Sequence, residues 1–131
     1  GFKYSLSLHK LLHSDYDVVF MDKGFPTSTK LEEKLRSTPY DAVFIMSDEL
    51  LMTVYPILLK LNLYPDKTSL VAISDGKMPY QIYPKISHIL HSGFEIGKKG
   101  AEILLEKLMG KSDILHIEID TTLVKLDSVF I

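Results

Sequence analysis

Cysteine is absent from the 131 residues, which removes disulfides, thiol nucleophiles and Cys-ligated zinc together and is what a reducing compartment permits. Long apolar runs are lacking too: stretches such as Ala42 to Met46 reach about a quarter of the ~20 residues a membrane span needs, and no charged, apolar, small-residue leader precedes them. A cytoplasmic protein is therefore expected, neither membrane-spanning nor an exported precursor. Basic charge is in no excess, with 15 Lys and Arg against 17 Asp and Glu and a net charge of −2. This segment alone offers no field to hold a phosphate backbone.

Catalytic signatures are missing as well. Neither the P-loop pattern nor G-x-G-x-x-G occurs, and no G-x-S-x-G elbow sets a serine on a strained turn. His9, His13, His88, His91 and His116 are scattered, with no H-E-x-x-H and no carboxylate pairing at ligand spacing. We expect no catalytic residue, no metal and no cofactor. What is present is an ordinary globular composition, 46% hydrophobic and 24% charged, which excludes disorder and coiled coil and suits one domain.

Along the chain, Phe2, Leu6, Leu8, Leu11 and Leu12 recur at helical spacing with no strand before them, as in the interior of a larger protein. Val18 to Met21 is a short, wholly apolar run that reads as a buried strand, closed by Asp22, Lys23 and Gly24. Pro26 to Ser28 starts a helix with Leu31 and Leu35 inward. Ala42 to Met46 and Ser69 to Ile73 read as further buried strands. Between them, Ser47 and Asp48 supply N-cap chemistry for a helix reaching about Leu61, bent at Pro56 and apolar around most of its circumference. After a Pro- and Tyr-rich stretch, Ile86 to Leu90 makes a short strand. Gly93 to Met109 is a clean amphipathic helix closed by Gly110. Ile114 to Ile119 and Thr122 to Leu126 read as short strands. Helices alternate with strands, which predicts an α/β fold: three layers, a mostly parallel sheet with helices on both faces.

Ligands of such sheets sit beyond the carboxyl ends of the strands, here Met21 to Phe25, Ser47 with Asp48, and Ser74 with Asp75. Asp48 either caps its helix or caps it and also meets a ligand. Asp75 either shapes its turn or accepts from a ligand, and Phe25 is either a stacking platform or a loop anchor.

The run Asp17 to Pro26, D-V-V-F-M-D-K-G-F-P, is similar to the phosphoacceptor strand of response-regulator receivers, with Asp22 as acceptor. That pattern also needs an upstream acidic pair for magnesium, and only a helix precedes Asp17. A fuller match begins at Tyr40. Y-D-A-V-F-I-M-S-D-E-L, L-N-L-Y-P-D-K-T-S-L-V-A-I-S-D, P-K-I-S-H-I and G-F-E-I-G-K-K-G-A-E-I-L-L-E-K-L-M-G-K follow one another without a gap through Gly110. In that order they resemble the ligand-binding core of LacI/GalR transcription repressors. T-T-L-V-K-L-D-S-V matches that family's closing strand, and Gly1 with Phe2 the pair opening its second-lobe helix.

The resemblance implies the C-terminal part of a two-lobed, periplasmic-binding-protein-like core, about 1–87 forming the second lobe and about 88–131 the crossover, helix and closing strands shared with the first lobe. It implies a small-molecule effector, a sugar or derivative, and contact with DNA only through a domain outside this chain. The family's ligand contacts fall at Phe25, Ser47, Ser74 and His91. Ser74 stands where a carboxylate is usual, so either Asp75 takes over or the effector is no typical hydroxyl-rich sugar; His91 stands where glutamine is frequent. The resemblance also implies a homodimer, for which Met52, Tyr55, Met78, Tyr80 and Tyr83 are the candidate patch, being of types favoured at such surfaces. Burial within one subunit is the alternative.

Overall fold

The computed structural model describes residues 2–10, 18–21, 27–111 and 116–129. Two compact units divide the chain, Gly1–Ser37 and Thr38–Ile131. The first carries helices α1 (Phe2–Leu8) and α2 (Thr27–Ser37). In α2, Leu31 and Leu35 are buried, four residues apart and hence on one face, while Arg36 and Glu32 form an exposed ion pair at 2.8 Å. The strand expected over Val18 to Met21 is not formed: these residues have no regular structure, and Phe20 is 85% exposed. An apolar run makes a strand only where a neighbouring ladder takes up its amides and carbonyls, and local composition cannot supply that neighbour.

The second unit is built on one sheet. Strands β1 (Ala42–Ile45), β2 (Ser69–Ser74) and β3 (Ser87–Leu90) run parallel in that order, and β4 (Thr122–Val124) pairs antiparallel with β3. The register aligns Ile45 with Ala72, Ala72 with His88 and His88 with Val124, so these four share a face. Helix α3 (Asp48–Lys60) packs on β1 and β2, and the short helix α4 (Met78–Gln81) on β2. Leu70 and Ala72, on one face of the sheet, are fully buried. Val71 and Ile73, on the opposite face, are half-buried.

Helix α3 buries Leu51, Val54, Ile57 and Leu58, a stripe at three- and four-residue spacing. Each fully covered leucine there contributes roughly 1.5 to 3 kcal/mol. Met52 and Leu59 lie off the stripe and are exposed, so the circumferential apolarity of the sequence resolves into one buried face and one uncovered one.

At the amino-terminal end of the sheet, Ser128 completes the ladder between β2 and β3. Leu70 N–H donates to the Ser128 carbonyl at 2.9 Å, Ser87 N–H donates to Ser128 Oγ at 2.8 Å, and Ser128 Oγ–H donates to the Leu70 carbonyl. Ser87 Oγ in turn accepts from Leu126 N–H at 2.9 Å. Helix α5 (Gly93–Leu108) starts at the N-cap Ser92, whose Oγ accepts from Glu95 N–H at 3.2 Å, and stops before Gly110, which takes φ +68°. No residue of α5 is buried, Phe94, Leu104, Leu105 and Leu108 included. Of the strand expected over Ile114 to Ile119, the described residues from His116 on form none. No helix of the described residues is long and apolar enough to cross a membrane.

Candidate functional site

The carboxyl ends of β1, β2 and β3 bring together Ser47, Asp48, Ser74, Asp75 and His91. Ser47, extended at φ −163° and ψ 161°, caps α3 by accepting Leu50 N–H on Oγ at 3.2 Å. Asp48 and Glu49 follow in the first turn, where carboxylates are favoured by the free amides and the helix dipole. Asp48 reaches across to the next strand end, its Oδ2 accepting Asp75 N–H at 3.1 Å.

The carbonyl of the same Ser74–Asp75 peptide accepts His91 N–H at 3.1 Å. One peptide unit is thereby held from both sides, by the residue that opens α3 and by the residue that follows β3. The turn beyond it is closed by its own side chains: Ser74 Oγ accepts Gly76 N–H at 2.9 Å, and Asp75 Oδ1 accepts Lys77 N–H at 3.1 Å. Gly76 sits at φ +93°, and a Cβ there would stand 2.9 Å from Leu90 Cδ1. Left-handed backbone and close approach both call for glycine.

Below this turn lies a residue that sequence reasoning did not single out. His88 is fully buried, with Nδ1 2.9 Å from the Ile86 carbonyl and its ring edge-on to Tyr80 at 5.6 Å. A carbonyl only accepts, so Nδ1 carries a hydrogen and donates it. His88 Nε2, Asp48 Oδ1 and His91 Nδ1 are buried without a hydrogen-bond partner among the described residues. The alternation of β3 was the available signal, since it sets His88 on the same face as Ala72. Phe25 and Asp22 lie outside the described residues. Among the described residues, no group of three His, Asp or Glu side chains could hold a metal ion.

The expected interface residues fall on α3, α4 and the segment after α4. Met52, Tyr80 and Tyr83 are exposed, whereas Tyr55 and Met78 are half-buried. Tyr55 O–H donates to the Tyr83 carbonyl at 3.2 Å, and its ring meets Tyr64 edge-on at 5.8 Å. Tyr64 O–H donates to the Pro84 carbonyl at 2.9 Å. Burial, reinforced by Tyr55 and Asp127, pushes the Tyr64 phenol up to about 12.

A mainly parallel sheet with braced loops at its carboxyl edge is an α/β lobe of the kind that holds small molecules. No family model and no curated protein sequence matches the chain. Among solved structures, its fold is shared with a LacI family transcriptional regulator from Enterococcus faecium with bound ribose, at TM-score 0.77 and 21% identity over 98% of this chain and 49% of that one. It is shared too with the transcriptional regulator CelR in complex with cellobiose, at TM-score 0.82 and 17% identity, covering 97% of this chain and 40% of the other. A third is the transcription regulator CcpA of Lactococcus lactis, at TM-score 0.80 and 14% identity, covering 98% and 48%. The chain thus has the fold of part of these regulators and spans less than half the length of each.

Proposed function

We propose that this chain is the effector-sensing and dimerising part of a LacI-like transcription regulator, responding to a sugar or sugar derivative and carrying no catalytic role. The observation that carries this reading is the braced Ser74–Asp75 peptide at the strand ends, in a fold shared with regulators whose structures hold ribose and cellobiose. In this proposal Ser47, Asp48, Ser74, Asp75 and His91 form one wall of a cleft. Phe25 is proposed as a further ligand contact, and an opposing lobe outside this chain supplies the rest. Residues from about 88 onward belong partly to that other lobe, which agrees with the uncovered apolar face of α5. The dimer forms through Met52, Tyr55, Met78, Tyr80 and Tyr83, DNA is held by a domain outside the chain, and the protein works in the cytoplasm.

Titration of the 15N-labelled chain with ribose and with cellobiose tests the site. One wall without its opposite leaves much of the ligand in water, so weak binding is expected, with shifts concentrated on the amides of Ser47, Asp75 and His91. Shifts confined to other regions would remove the assignment.

A further inference from the structure

The polar side chains gathered at the strand ends are largely engaged within the lobe, and the two atoms there without a partner among the described residues, Asp48 Oδ1 and His91 Nδ1, are buried. Ser47 serves Leu50 N–H, Asp48 serves Asp75, Ser74 serves Gly76 and Asp75 serves Lys77. Ser74 is 1% exposed, and the Nδ1 of His91 is likewise buried. Of the two possibilities that the Ser74 departure raised, this arrangement favours the second. A fully hydroxylated ring gives up many hydrogen bonds to water on binding and must recover them from unspent donors and acceptors. This wall provides few.

It provides instead one exposed apolar side chain. Met46 stands directly after β1 and before the Ser47 cap, and it is 59% exposed, although its neighbour Ile45 is buried. A methionine side chain is unbranched and polarizable, and adapts to the shape of an apolar partner. Covering it gains free energy without requiring any hydrogen bond in return.

We propose that Met46 is a specificity-determining residue of this site, and that the ligand it selects presents an apolar substituent to this lobe in place of a hydroxylated ring. The inference rests on the sugar-sensing reading above. Cellobiose and phenyl β-D-glucopyranoside separate the two, because they share a glucose ring and differ in a polar against an apolar second group. With the chain labelled at 15N and at the methionine methyls, the phenyl glucoside should shift the Met46 methyl and the Ser47, Asp75 and His91 amides at concentrations about tenfold lower than cellobiose, a difference of about 1.4 kcal/mol. Met46→Ser should remove that advantage and Met46→Leu keep it, and the exposure of this side chain lets both variants fold, which an otherwise unchanged amide spectrum verifies. Equal potency of the two ligands, or an advantage surviving in Met46→Ser, overturns the proposal and leaves the sugar-sensing reading standing. Strand-end amides unmoved by either ligand overturn that reading and this inference with it.

Discussion

The carboxylate of Asp48 accepts the backbone N–H of Asp75 at 3.1 Å, tying the first turn of α3 to the turn after β2 across 27 residues of sequence. Helix capping and inter-loop bracing thus meet in adjacent residues, Ser47 doing the first and Asp48 the second. Asp48→Ala should leave the exposed Asp75 amide to water and cost about 0.5 to 1.5 kcal/mol, whereas Asp48→Asn retains an acceptor oxygen and should cost less. Urea denaturation of the two variants checks this, and equal midpoints would show that the bond adds nothing to stability.

Gly76→Ala should destabilise by more than a surface substitution, because φ +93° is unfavourable for any residue with a Cβ and because that atom would stand 2.9 Å from Leu90 Cδ1. The backbone contribution alone is about 1 to 2 kcal/mol. Thermal unfolding of Gly76→Ala with and without Leu90→Ala separates conformational strain from the clash, since only the clash is relieved in the double variant.

Tyr64 makes stability fall at alkaline pH. Its phenol is raised from 10.0 to about 12 in the folded chain, so the folded state keeps a proton that the unfolded state gives up. The contribution is whole below pH 10, is lost as pH rises from 10 towards 12, and, with solvent screening of the part-buried hydroxyl, amounts to about 1 to 2 kcal/mol. Tyr64→Phe should flatten this part of the stability profile while losing the bond to Pro84 at neutral pH. An unchanged slope between pH 10 and 12 would assign the alkaline loss to other groups.

For the proposed dimer, Tyr83→Glu is the sharper variant, because Tyr83 is exposed and its side chain serves no partner among the described residues that a charge would break. A carboxylate buried at the contact without a counter-charge should shift the mass measured by light scattering from dimer to monomer. Tyr55→Phe, which removes only the internal bond to the Tyr83 carbonyl, should leave the mass as it is.

The parts of the fold legible in the sequence are those determined locally. Ser47 before an apolar stretch announces the start of α3, Gly110 announces the end of α5, and alternating helix and strand announce the parallel order. Long-range partnership was not legible. Val18 to Met21 has the composition of a strand and lacks a ladder, while Ser128, an unremarkable serine by sequence, is fully buried between β2 and β3. Asp75 was open between a turn role and a ligand role, and its bond to Lys77 N–H establishes the first without excluding the second. No local pattern distinguishes a methionine that faces solvent at a strand end from one in the core, which is why the buried strand read over Ala42 to Met46 took in Met46, whereas β1 ends at Ile45 and Met46 is exposed.

The Ser128 lock also bears on how the chain is made. The residue that bonds Leu70 lies 58 positions further along and reaches the ribosome exit well after β1, β2 and α3. Until it arrives, the lower edge of β2 carries an amide and a carbonyl open to any passing strand, including one from another nascent chain. Synthesis order therefore sets a vulnerable interval, one that a translational pause placed between β3 and Leu126 would lengthen and that would be read out as co-translational aggregation.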